Sequence, residues 1–88
     1  YGLTSQIRRA SVSVAANIVE GSSRSTDADF AHFLTMSLAS ASEVEYLMLL
    51  AHDLTMLAEE EYLKLSQDIV LLKKKLNAFI QKLRTKSK

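Results

Sequence analysis

An all-α fold, an antiparallel up-down helical bundle, is predicted for this 88-residue chain on three observations. There is no proline and there are only two glycines, so almost nothing in the chain would break a helix. Apolar residues recur at alternating spacings of three and four, the period of helices that share a seam. Turn-forming residues gather in one stretch, GSSRST at 21–26, which is the only clear loop.

The first helix is expected over about 5–20. Thr4 would be its N-cap, and Gly21 would close it in a left-handed C′ position. Ile7, Ala10, Val14 and Ile18 lie on one side, while Val12, Ala15, Ala16 and Val19 lie on others. Apolar character round most of the circumference predicts a buried helix, with small residues that let neighbours approach closely.

The second helix is expected over 27–53. Thr26 with Asp29 three residues on forms a capping box in which Asp replaces Glu. Asp27 and Asp29 also suit the positive end of the helix dipole. Phe30, Leu34, Ser37, Ala41, Val44, Met48 and Ala51 make one seam. Beside it runs a second stripe of Phe33, Met36, Ser40, Glu43, Leu47, Leu50 and Leu54, interrupted by Ser40 and Glu43.

The third helix is expected over 58–84. Residues 54–58, LTMLA, hold no Gly or Pro, so the break rests on a reset of the periodic phase and on Glu59, Glu60 and Glu61 as a first turn. One uninterrupted helix over 27–84 is the alternative. Tyr62, Leu65, Ile69, Leu72, Leu76, Phe79 and Leu83 repeat without a miss. Helices two and three are each about 40 Å long, and a short connection between equal lengths implies an antiparallel pair.

A single domain, 1–88, is the expected organisation. A chain this short buries only about 60–65% of its unfolded surface, so association is expected to supplement the core. There is no cysteine, hence no disulfide and no thiolate metal site. No run of 18 apolar residues and no signal peptide is present, so the expected location is the cytoplasm, with no membrane partner. Tyr1 stands where Met would open a gene product, so the chain reads as part of a longer one.

Catalytic chemistry is not expected. His32 and His52 are about 30 Å apart on one helix, and no Glu-x-x-His pair exists for a bundle-core metal site. Neither a nucleophile elbow nor a glycine-rich phosphate loop occurs. No enzyme, metal, cofactor or small-molecule substrate is therefore predicted.

The charges give the candidate sites. Arg8 and Arg9 sit near a helix start, unfavourably for its dipole. Glu43 and Glu45 are their expected partners in a register-setting network, with phosphate binding by the arginines as the sharper reading. Asn17, Glu20 and Arg24 are expected to fix the first loop, Asn17 bonding to backbone and Glu20 to Arg24. Net charge is only +1, yet the last acid is Asp68. Lys73, Lys74, Lys75, Lys82, Arg84 and Lys86 follow with no acid among them. Such a tract complements a helix C-terminus; repeated by oligomer symmetry, it would also make a phosphate-binding rim for RNA or a ribonucleoprotein.

Gln6, Ile7, Arg8, Arg9, Ala10, Asn17, Ile18, Glu20, Gly21 and Arg24 form a pattern that resembles one family. It is that of the four-helix bundle proteins encoded in intervening sequences of bacterial 23S rRNA genes. Phe30, Phe33, Leu34, Ser40, Glu43 and Glu45, then Glu59 to Tyr62, extend the resemblance along the chain. Ala15 stands where the family often has Pro, and Ala39 where it often has Gly. The resemblance implies a further long helix before residue 1, whose absence would leave an apolar face for another helix or a neighbouring chain to cover. It also implies a homo-oligomeric ring, a pentamer in the favoured reading. The accessory protein of diversity-generating retroelements, associated with a reverse transcriptase and nucleic acid, is a relative with that architecture.

Overall fold

The computed structural model describes residues 2–86. Three helices form: α1 (Gly2–Ser22), α2 (Asp27–Asp53) and α3 (Glu59–Lys86), with no strand among the described residues. The bundle is all-α and antiparallel. Ser13 and Ser40 pair α1 with α2, while Glu45 with Lys73 and Thr35 with Arg84 pair α2 with α3 in reversed order.

Caps decide the boundaries. Thr26 is extended (φ −123°, ψ 150°) and its Oγ1 accepts the Asp29 N–H at 3.1 Å, so the predicted N-cap of α2 forms. α2 ends without glycine or proline. Met56 N–H donates to the Ala51 carbonyl at 2.8 Å and Thr55 N–H to the His52 carbonyl at 3.0 Å. These two bonds are the Schellman pattern, and Thr55 occupies its left-handed C′ position with φ 58°. Helix α2 thus stops, and the uninterrupted helix over 27–84 does not form.

Two expected ends of α1 are corrected. The helix already runs from Gly2, so Thr4 lies inside it and does not cap it. Gly21 is helical and buried, with no positive φ. Its role is closeness: a Cβ built there would stand 2.8 Å from Phe33 Cβ and 2.9 Å from Phe30 Cδ1. Glycine lets the last turn of α1 rest on the first turns of α2.

Helix α2 is the centre. Both α1 and α3 pack against it, and their backbones do not reach each other. Ala10 and Val14 of α1 meet Ala41, Val44, Leu47 and Met48 of α2, with Ile69 of α3 joining the cluster. A second cluster joins Ala31 and Leu34 to Leu76, Ile80 and Leu83. The first α2 seam is buried from Leu34 to Ala51, whereas Glu43 on the second stripe is exposed. By length and composition α2 is also apolar enough to cross a membrane, with a mean hydropathy of 1.2 over an 18-residue stretch. In the bundle that apolarity serves two packed neighbours.

The outline, 47 × 21 × 13 Å, is an open trough with α2 at its base. This changes which side α3 buries. Ile69, Leu76, Ile80 and Leu83 are buried, while Leu65 and Phe79 of the expected stripe are each 41% exposed. With a single neighbour, α3 buries a narrow face and turns the Leu65 edge towards the mouth of the trough.

Candidate functional site

The α1–α2 seam holds a polar ladder inside an apolar contact. Asn17 Nδ2 donates to the Ser13 carbonyl at 2.9 Å and to Ser13 Oγ at 3.2 Å, and Ser13 Oγ lies 2.9 Å from Ser40 Oγ. Fully buried Ser37 donates its hydroxyl to the Val14 carbonyl at 2.8 Å. Polar groups in such a seam need partners, and their directions fix the register of the two helices. Asn17 does bond to backbone, but to its own helix rather than to the loop. Ser40, which interrupts an apolar stripe, has its reason in Ser13.

The expected arginine–glutamate network is absent. Glu45 pairs with Lys73 at 2.8 Å across α2 and α3, both side chains about one-third exposed. Glu43 is exposed and shares only a shallow recess with Arg9, Gln6, Ala10 and Ser13. Arg8 and Arg9 are exposed and make no ion pair among the described residues. Glu45 lies towards α3 on the far side of α2, out of reach of α1. One lysine of the basic tract is thereby spent inside the fold.

At the opposite end, Arg24 Nη2 bonds Glu20 Oε2 at 2.6 Å, as expected, and its guanidinium lies 4.6 Å from the centre of the Phe33 ring. Arg24 thus clamps the loop onto α2 beside Gly21. Phe30 and Phe79 meet edge to face at 5.1 Å, tying this end to α3.

The basic tract lies along the C-terminal half of α3. Lys74, Lys75 and Lys82 are exposed and make no ion pair among the described residues. Arg84 donates to Thr35 Oγ1 at 3.3 Å, and Lys86 Nζ stands 4.0 Å from Asp27 Oδ2. The six cations thus divide: Lys73 is structural, Arg84 and Lys86 are loosely tethered, and three point freely to solvent.

Sequence reasoning missed a cluster at the α2–α3 turn. His52 Nε2 is hydrogen-bonded to Glu59 Oε1, and its ring stacks on Tyr62 at 4.4 Å with planes 21° apart. Its Nδ1 is buried without a hydrogen bond, Asp53 Oδ1 being 3.6 Å away. The signal was seven-residue spacing from His52 to the Glu run, legible only once the turn is known. No group of metal-ligating side chains occurs among the described residues.

A groove of about 470 Å³ opens between α1 and α3. Leu3, Ile7, Met48, Leu65, Ile69 and Leu72 supply most of its wall, with Thr4, Ser11 and Asp68 as its polar margin. In an up-down bundle each helix packs on two neighbours, and among the described residues α1 and α3 have one each.

Residues 1–78 match the family model of the 23S rRNA-intervening sequence protein. The chain belongs to this family. A solved structure with the same fold is a protein of unknown function from the S23 ribosomal protein family of Bacteroides thetaiotaomicron, with 30% identity and a TM-score of 0.87. The match covers 91% of this chain and 74% of that one. No curated protein matches.

Within the intervening-sequence family pattern, the positions of this chain now have physical roles. Asn17 and Ser40 belong to the seam ladder, Gly21 to a close approach, and Glu20 with Arg24 to the loop clamp. Glu45 locks α2 to α3. Arg8, Arg9 and Glu43 are charged motif residues that make no ion pair among the described residues.

Proposed function

We propose that this member of the intervening-sequence family is a non-enzymatic, homo-oligomeric helical bundle that binds RNA or a ribonucleoprotein through the C-terminal half of α3. The observation that carries the reading is the exposed set Lys74, Lys75 and Lys82, which makes no ion pair among the described residues and lies on a stretch without acids. Repetition round an oligomer multiplies such contacts, and each phosphate neutralised adds affinity and salt dependence. Support for self-association comes from apolar side chains left in solvent on all three helices, Val12 at 61%, Val19 at 69% and Tyr46 at 62% exposed among them. Phe79, the exposed aromatic between Lys75 and Lys82, has its ring against Phe30 and offers no free stacking platform, so recognition is of backbone charge rather than of base sequence.

The test is binding of a structured RNA over a salt series, with Lys74, Lys75 and Lys82 replaced together by Glu. Lys73 is kept, because its loss would also unlock α2 from α3. The wild type is expected to show log affinity falling with log salt at about 0.7–0.9 per phosphate contact, and the variant to lose binding. Equal, salt-insensitive binding by both proteins, or no binding at low salt, rejects the reading.

One observation favours a second reading. The groove between α1 and α3 is apolar, long and open, as in a protein that recruits another by helix packing.

A further inference from the structure

Helix α1 has a second face that the fold does not use. Ser5, Arg9, Val12, Ala16 and Val19 recur at steps of four, three, four and three, and all five are exposed. They stand opposite Ala10 and Val14, which are buried. A helix side turned to water ordinarily carries charged and polar residues. This side carries two exposed valines, poor helix formers, and Arg9 is its one charged residue. Helix α2 has a matching stripe on the back of the trough, away from the groove. His32, Met36, Ala39, Glu43, Tyr46 and Leu50 recur at steps of four and three, opposite the buried Leu34, Ala41 and Met48. None of the six is buried, and Glu43 is their one carboxylate. Each stripe thus has the pattern of a helix-packing seam with one charge near its middle, and the two charges are opposite. Arg9 and Glu43 share the shallow recess on the α1–α2 seam, yet form no ion pair with each other. Nearby charges lie outside both stripes. Arg8 is about 100° round α1 from Arg9, while Glu20 holds Arg24 and Glu45 holds Lys73.

We propose that a second copy of this chain covers these faces, the α1 stripe of one copy lying antiparallel on the α2 stripe of the next, with Arg9 paired to Glu43 across the contact. The inference rests on the homo-oligomeric reading above and assigns its interface. In this register Val12 meets Ala39, Ala16 meets Met36 and Ser5 meets Tyr46, so each pair sets a smaller side chain against a larger one. The antiparallel sense also opposes the two helix dipoles. The stripes are different surfaces, so the contact is heterologous: each copy offers α1 to one neighbour and α2 to the other, which generates a ring where the rotation closes. Neither stripe includes α3, so Lys74, Lys75 and Lys82 stay open to solvent in the assembly.

Sedimentation velocity on the whole chain and two charge reversals, Arg9→Glu and Glu43→Arg, tests this, with circular dichroism checking that each variant is folded. Each reversal alone sets like charges face to face and is expected to weaken association by about tenfold or more. Mixed in equal amounts, the two variants again present opposite charges at every contact between unlike copies. They should then co-assemble, which a folding defect would not produce. An oligomeric wild type whose assembly neither reversal weakens overturns the interface and leaves the homo-oligomer standing on another face. Variants that dissociate singly and fail to co-assemble overturn the pairing of Arg9 with Glu43. A wild type that stays monomeric at every concentration removes the homo-oligomeric reading and the interface with it.

Discussion

At the residue scale, the two positions that govern the ends of α1 and α2 have exchanged the residues expected of them. Gly21 sits in an ordinary helical conformation, where alanine would be the better helix former by about 1 kcal/mol. It is required because Phe33 Cβ and Phe30 Cδ1 leave no room for a methyl group. Thr55 adopts φ 58°, where a β-branched side chain is strained and glycine is at ease. Opposite outcomes are therefore expected. Gly21→Ala should lower stability by about 1–3 kcal/mol, because Phe33 Cβ is fixed to the backbone and cannot swing aside. Thr55→Gly should raise it by about 1 kcal/mol, the left-handed strain less the extra freedom of an unfolded glycine. Urea unfolding of both variants decides it. A stable Gly21→Ala protein would mean that α1 and α2 are further apart than described.

At the element scale, packing partners decide what periodicity cannot. The spacing of apolar residues located α2 to the residue, because Thr26 caps it and its first seam has neighbours on both flanks. The same kind of spacing misassigned one edge of α3. A repeat of three and four marks an apolar band but does not say how wide a band the neighbours cover, and α3 has only α2 beside it. Charge pairing was illegible for a related reason. Glu43 and Glu45 are two residues apart in sequence but face different flanks of α2, and only the placement of α3 gives Glu45 to Lys73. The seam ladder was half legible: Asn17 and Ser40 stood out, but Ser13, which joins them, looked like one more small helical residue. The asymmetry of α3 yields a measurable contrast. Leu76→Ala, at a site 5% exposed, should cost about 2–5 kcal/mol. Leu65→Ala, at a site 41% exposed, should cost about 1 kcal/mol or less. Similar losses for both would show that the groove edge is covered in the folded protein.

At the scale of the whole molecule, an open trough with α2 at its base is an incomplete solution to burying apolar surface. A domain of this size has a net stability of only about 4–13 kcal/mol, and here the groove and the outer faces of α1 and α2 leave Leu65, Val12, Val19 and Tyr46 in water. Association that covers such surface joins folding to subunit concentration, since anything binding only the folded state stabilises it by mass action. A self-associating chain should accordingly melt at a higher temperature when more concentrated. A hundredfold increase in concentration contributes about 2.7 kcal/mol per association step, which in a chain of this length corresponds to a rise in Tm on the order of 10–20 °C. Differential scanning calorimetry at two concentrations, paired with sedimentation velocity under the same conditions, measures both quantities. A concentration-dependent Tm with a matching oligomer supports assembly through these faces, and Val12→Glu should then lower Tm most where the protein is concentrated. A Tm independent of concentration, with a single monomeric species throughout, would make the three-helix trough itself the folding unit and remove the homo-oligomer from the proposed function.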